Sequence, residues 1–508
     1  MKTTRSGIHW ANRLWSKTPM KLATPIFHPR HPRTRGVLPG LLALVLLAAR
    51  SPAGAQTITP LANDRAVFEF APAAAGDGTR WLVLQFADQH LLARTLDRTG
   101  TPVDPPRDLG RSVPLPPTAA TAVGGGRFLV AWSAPDGAIY ATAGDGNAPP
   151  VVLVPGTEAT PWFVRGLAGD ASGFLLVYQG PDDWSGPLYA QWVDPEGRRR
   201  GEPVRLIQPA VQNKSDGIEM PTVVAGGGRF LVAWQRHDSR LPGAAQNVTE
   251  AVLVRYSSEG ALPGPVLTLS ALASASHNPL AADYDGARFL VVWNHSDPGP
   301  SSHETLRLHG RWVSPDGGVE GVQTVFVNDP ASHFPALAWD GRSHLLLWHQ
   351  QDSGEVRWQY FRRDGSPRLP AQVLAELPRP EGPATVFPGV RFDGERFLAV
   401  LNVLGLEFDE TGDIAGFSSG DVYTAWLPAS PPEPAPPRLT QLRWSPDTGA
   451  HLRGMGAPGV IYRLEAAADP AGPWTSLGSA PPAGEEGAFE FHDPDTTRPR
   501  RFYRAVTP

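Results

Sequence analysis

The chain contains no cysteine, and after residue 55 only one lysine, Lys214. Without cysteine there are no thiol nucleophiles, no Cys-ligated zinc or iron–sulfur cluster and no disulfide staple, so stability has to come from core burial or repeated packing. Helical periodicity is missing throughout. The most apolar run, Leu38 to Ala49, is too short to span a bilayer comfortably. Positive charge is also scarce outside the N-terminus. Residues 1–55 carry nine Lys/Arg and no Asp/Glu, leaving 36 basic against 50 acidic residues from 56 to 508, a net charge of −14. Such a surface offers no electrostatic reason to bind nucleic acid or anionic membrane. Abundant Ala, Pro and Gly, with Arg in place of Lys, reads as a GC-rich bacterial coding bias.

Residues 1–55 read as an N-terminal extension and secretory signal peptide. Arg30, Arg33 and Arg35 precede the apolar run, and Ala53-Gly54-Ala55 supplies the small-x-small pattern of a cleavage site. The expected mature chain begins at Gln56 and is secreted, to the medium, the cell surface or the periplasm. A start at Met20 gives a signal of more ordinary length.

What is abundant is one repeated phrase, a Gly-containing turn followed by a short apolar strand. It reads DGTRWLVLQ (77–85), GGGRFLVAW (124–132), DASGFLLVY (170–178), GGGRFLVAW (226–234), DGARFLVVW (285–293), DGRSHLLLW (340–348) and DGERFLAVL (393–401). The last residues lie 47, 46, 56, 59, 55 and 53 positions apart, the period of a unit of several strands. In the fifth copy, Asn278 to Ala282 leads into Asp285-Gly286, then Phe289–Trp293, Leu306–Val313, a Ser314-Pro315-Asp316-Gly317 turn and Val322–Val327 give four antiparallel strands. Four-stranded units with apolar faces must pack on one another, and radial closure meets that need. The predicted fold is all-β, a seven-bladed β-propeller over 56–427 followed by a small β-sandwich over 438–508. The seventh copy runs from its third strand, Val422–Leu427, straight into Pro428 without a fourth. Thr57-Ile58-Thr59-Pro60-Leu61 has the pattern of the fourth strands elsewhere and is expected to complete the last blade.

Phe334-Pro335-Ala336-Leu337-Ala338-Trp339-Asp340-Gly341, Leu290-Val291-Val292-Trp293 and Leu92-Ala93-Arg94 resemble the propeller-like repeats of large secreted and surface proteins of myxobacterial type. The resemblance spans roughly 58–427, with Gln85 and Leu401 departing from the aromatic that ends the phrase, and implies a structural repeat without a catalytic signature. Residues 428–437, PASPPEPAPP, read as a semi-rigid polyproline linker. Tyr462 to Ala466, Trp474 and Arg501-Phe502-Tyr503-Arg504 resemble small fibronectin-type-III-like domains, which implies a spacer or attachment module.

First-to-second and third-to-fourth strand turns are tight and share one face, so the longer connections gather on the other, where recognition is expected. There lie the candidate ligand-binding residues Asp182, Asp183, Trp184, Arg236, His237, Asp238, Asn294, His295, Asp297, His349 and Asp352, with His277 and His333 nearby. His237, His295 and His349 with Asp238 or Asp297 have the chemistry of zinc ligands, but they recur with the repeat and lack a short ligand spacing, so they read as solvated loop polars and no metal is expected. No catalytic residue and no cofactor is assigned. The expected activity is non-catalytic binding of carbohydrate or protein, with no nucleic acid partner and no transmembrane segment. The alternative is a polysaccharide hydrolase or lyase, with Trp184 stacking on a sugar and Asp182 and Asp238 as acid and base. The stripe residues Trp132, Trp234, Trp293 and Trp348 read as core between blades.

Overall fold

The structure, a computed structural model, describes residues 58–506 except 63–68, 88, 114–117, 145–147, 181–185, 209–216, 238–246, 271–278, 298–304, 375–383, 409–413, 431–436, 457–461, 481–486 and 498–500. The signal-peptide features lie outside these residues. The described chain is all-β, and it separates into two compact units between Ser430 and Pro431.

The first unit holds seven four-stranded antiparallel sheets among the described residues. Their first strands are Glu69–Gly76, Ala119–Gly124, Phe163–Asp170, Gly217–Gly226, Ala281–Tyr284, Ser332–Trp339 and Ala384–Phe392. Each lies beside the next, and the last lies beside the first, so they form a closed cycle with the later strands stacked outward. This is a β-propeller. In the seventh sheet the order is Ala384–Phe392, Arg396–Phe408, Ile414–Pro428 and then Ile58–Ala62, whose Ile58 pairs with Ala425 and Thr59 with Thr424. The N-terminal strand of the described chain therefore closes the sheet that the C-terminal end of the unit leaves open.

The repeated phrase is explained by two local devices. Aspartate and glycine build the turn: the Asp285 carboxylate accepts the backbone N–H groups of Ala287 and Arg288, both at 2.8 Å, while Gly286 takes the left-handed conformation. Asp77, Asp340 and Asp393 make the same pair of bonds. Where three glycines replace the aspartate, Gly125 is left-handed and lies against Pro195 of the next sheet, leaving no room for a side chain. The run after the turn is continuously apolar because both faces of the strand are covered. Phe230, Val232 and Trp234 pack on the third sheet, whereas Leu231 and Ala233 pack on the fifth. Trp293 and Trp348 likewise face the preceding sheet.

Neighbouring sheets are also tied at the tight-turn face. Arg363, in the third-to-fourth turn of the sixth sheet, donates to the backbone carbonyl of Asp285 at 2.6 Å and lies 3.3 Å from its buried carboxylate, while Arg288 donates to the carbonyl of Arg363. In the seventh sheet the departing chain takes that turn's place. The Ser430 N–H donates to the Asp340 carboxylate at 2.6 Å, and the Tyr360 hydroxyl donates to the Pro428 carbonyl. Pro428 thus ends a strand and Ser430 is buried, so the chain leaves the propeller after Ser430.

The second unit has two three-stranded antiparallel sheets, ordered Arg438–Ser445, Gly449–Met455, Ala488–Asp493 and Thr475–Ser479, Arg463–Ala467, Phe502–Val506. Tyr462, Leu464, Ala480 and Phe489 form its buried core, with Leu439, Leu477, Phe491 and Ala505 packed against them.

Candidate functional site

Alternation along the second strand of each sheet sends the residue after the aromatic stripe toward the following sheet. Those seven positions are Phe86, Ser133, Gln179, Gln235, Asn294, His349 and Asn402, and all are buried. Six are polar, at the end of the strand that approaches the long-loop face. Burying a polar side chain is costly unless it is hydrogen-bonded. Ser133 Oγ accepts the backbone N–H of Val164 in the third sheet at 2.8 Å. The Gln179 amide donates to the Ile218 carbonyl of the fourth sheet at 3.3 Å and to the Gly186 carbonyl at 3.0 Å, and accepts from Arg165 at 2.9 Å. Asn294 donates to the Ser332 carbonyl of the sixth sheet. Asn402 donates to Phe387 of its own sheet. Ser133, Gln179 and Asn294 thus tie their sheets to the next through backbone groups at the boundaries.

First strands bulge near the same end. The register slips between Phe70 and Ala73, Val164 and Gly166, Glu219 and Thr222, and His333 and Ala336. Three of these slips contain a proline, Pro72, Pro221 or Pro335, which cannot donate to the ladder. Met220 and Phe334, each directly before its proline, sit at φ 38° and 51°, a strained conformation for these side chains. Phe334 is thereby aimed at Phe387 of the seventh sheet, ring centroids 4.3 Å apart, with the His349 ring stacked 6.3 Å away. His333 pairs across the strand with His349, and burial pushes its imidazole down to about 4.

The candidate residues fall into three groups. Asp182, Asp183, Trp184 and Asp238, with His277, lie outside the described residues, as does the side chain of Asp297. Arg236, His237, Asn294, His295 and His349 are described, and a correction applies to them: they stand within the strands Arg229–His237, Phe289–Asp297 and His344–Gln350, not in solvated loops. The reason is that the second and third strands of the fourth and fifth sheets continue as hairpins, paired out to His237 with Asn247 and Asp297 with Thr305. Polar side chains on a strand read as loop in sequence, but here they alternate along extended backbone. The seventh sheet carries a further long hairpin, paired out to Phe408 with Ile414. By contrast the first sheet turns tightly after Ala87, which pairs with His90. Asp352 is the exposed candidate, on the turn that follows Gln350.

Within the strands the candidates have structural partners. Arg236 forks onto Glu250 at 3.1 and 2.9 Å, and the Trp234 indole donates to the same carboxylate at 3.0 Å. His295 packs against His309 with the rings tilted, centroids 4.4 Å apart, and Gln323 bonds His309 Nδ1. Among the described residues no group of three or more His, Asp and Glu side chains is placed to hold a metal ion. No helix among them is long and apolar enough to cross a membrane.

No protein family and no curated protein matches the chain. Solved structures do resemble it. An α-L-arabinanase of Penicillium chrysogenum complexed with arabinobiose is 9% identical with a TM-score of 0.38, covering 73% of this chain and 98% of that one. The β-propeller domain of Myceliophteria thermophila Cps50 (Swd1) is 12% identical with a TM-score of 0.40, covering 74% and 100%. The polysaccharide lyase Uly1 is 11% identical with a TM-score of 0.42, covering 69% and 88%. The likeness is one of fold.

Two features escaped the sequence reading. Arg165 and Gln179 form a buried polar pair directly before the 180–187 connection; their signal was an arginine in a first strand whose counterparts are small or apolar. Asp283 and Arg391 stand on the first strands of the fifth and seventh sheets, and their opposite charges attract. Burial pushes the Asp283 carboxyl up to about 6, against the pull of the Tyr284 N–H and the Arg391 guanidinium.

Proposed function

We propose that this chain is a secreted or surface-exposed, non-catalytic binding or scaffold protein. Its body is a seven-bladed β-propeller whose last blade is completed by Ile58–Ala62, and a small fibronectin-type-III-like β-sandwich follows a proline-rich linker. The ligand is carbohydrate or protein, taken on the long-loop face. One observation carries this reading: all six polar side chains that end the second strands are buried, three of them, Ser133, Gln179 and Asn294, in sheet-to-sheet hydrogen bonds, while hairpins of unequal length stand beyond them on that face. A rigid repeated frame with unequal projections is how a scaffold gains one specific surface from a repeated sequence.

The test is a glycan array and protein pull-down with the full chain, alongside a polysaccharide-turnover screen. Saturable retention of one ligand class without turnover supports the reading. Turnover that disappears when a single long-loop carboxylate is neutralised, with binding intact, replaces it by a hydrolase or lyase.

A further inference from the structure

The second unit leaves part of its apolar face bare. Leu442 and Trp444, on the edge strand Arg438–Ser445, pair directly across from Leu452 and Ala450 and so share their face. Leu452 and Ala450 are 3% and 1% exposed, whereas Leu442 and Trp444 are 55% and 58% exposed. The core reaches this edge strand at Leu439 but leaves Leu442 and Trp444 uncovered. The strand that ends the opposite sheet on this side is Phe502–Val506, which approaches Arg438–Ser445. Among the described residues no strand pairs with its outer edge. Phe502, Tyr503, Ala505 and Val506 are half-buried there, and an apolar edge strand is a template for further pairing.

Charge says what would fit. On the outer side of the same sheet Glu465 accepts from Arg463 at 3.1 Å and from Arg504 at 2.8 Å. Two guanidinium groups share a single carboxylate, leaving positive charge beside the open edge, and Arg438–Ser445 carries Arg438 and Arg443 with no acidic residue. We propose that this side of the unit is a strand-acceptor site. An extended segment of a partner protein, apolar at alternate positions with carboxylates between them, adds to the Phe502–Val506 edge, laying its apolar side chains on Leu442 and Trp444 and a carboxylate beside Arg504. Main-chain bonds supply the affinity, and the two faces of the segment supply the selection.

The experiment uses the full chain and two short fluorescent peptides, each with valine and leucine alternating with either glutamate or lysine, read by polarisation. The glutamate peptide should bind, with the lysine peptide and the exposed-site variant Trp444→Ser each weakening the complex by about tenfold or more. Equal binding of both peptides, no binding of either, or indifference to Trp444→Ser overturns the proposal. Dimerisation of the full chain in light scattering, abolished by Trp444→Ser and unaffected by the glutamate peptide, also overturns it and assigns the edge to a second copy. Because Trp444 is exposed, an unchanged melting temperature confirms that the variant is folded.

Discussion

The backbone N–H of Val164 donates to the hydroxyl of Ser133 across the boundary between the second and third sheets, at 2.8 Å. Ser133 is fully buried, and its own carbonyl accepts from the Ser112 hydroxyl and the Val113 N–H. Ser133→Ala therefore leaves a buried N–H without its acceptor, which costs about 1–3 kcal/mol. Urea unfolding of the variant should show a lower midpoint with an unchanged slope. A midpoint within error of the parent would mean that water or a backbone shift replaces the hydroxyl.

Ring closure depends on five residues at the far end of the unit. Ile58–Ala62 pairs with Ile414–Pro428, and the Thr424 hydroxyl reaches the Thr59 carbonyl at 3.4 Å. Removing residues 56–62 uncovers the edge of a long strand and the side chains of the buried cluster against which Ile58 packs. The melting temperature should fall in one cooperative step, followed by calorimetry. A separate low-temperature transition with the main one unmoved would show that the seventh sheet frays by itself and that the strand does not hold the ring.

Much of the fold could be read from the sequence because its signals are local. Asp-Gly and Gly-Gly turns fix φ within two residues, and a strand buried on both faces shows as an uninterrupted apolar run, as at Phe230 to Trp234. The stripe tryptophans were legible as core for the same reason. The hairpin extensions were not. Arg236-His237 and Asn294-His295 look like a polar loop until it is known that their strands continue, and whether they continue is decided by pairing with residues ten or more positions away. Gln179 and Asn294 were equally opaque, since a glutamine or asparagine at a strand end has the same letter whether it faces water or the carbonyl of the next sheet. The Arg165–Gln179 pair joins two strands through a contact that no spacing rule encodes.

Acid should destabilise the propeller through two buried imidazoles. Burial holds His333 and His344 down to about 4, below the ordinary 6.5. Between those values the unfolded chain takes up protons that the folded chain refuses, so the stability is fully present above 6.5 and declines as the pH falls toward 4. Asp283 acts in the opposite sense. Its folded carboxyl is raised to about 6 from 3.8, so it protonates first in the folded chain and offsets part of the loss across that window. Each imidazole contributes up to about 3 kcal/mol, and two outweigh the single carboxyl. His344 occupies the place of Phe128, Phe230, Phe289 and Phe397 in the repeat, packs on Trp339 with ring centroids 4.6 Å apart, and its ring nitrogens have no hydrogen-bond partner among the described residues. His344→Phe should raise the melting temperature at acid pH by more than at neutral pH. An equal gain at both would place the effect in packing and not in protonation.

Binding and stability should separate along the long-loop face. Asp352 is exposed on its turn, so Asp352→Ala removes a charge from the proposed recognition surface at little structural cost, within about 0.5 kcal/mol. Asn294 is fully buried and donates to the Ser332 carbonyl of the next sheet, so Asn294→Ala leaves that acceptor bare and lowers stability by about 1–3 kcal/mol. Measured on the same retained glycan or protein, Asp352→Ala should weaken binding without moving the melting temperature, and Asn294→Ala should lower the melting temperature while leaving the affinity of the folded fraction unchanged. The two effects are tied to different strata of one face: a buried layer that joins sheets, and an exposed layer to which the proposed function assigns the ligand. If Asn294→Ala abolishes binding at a temperature where the protein remains folded, the buried layer itself positions the ligand contacts, and the ring of polar residues belongs to the recognition site.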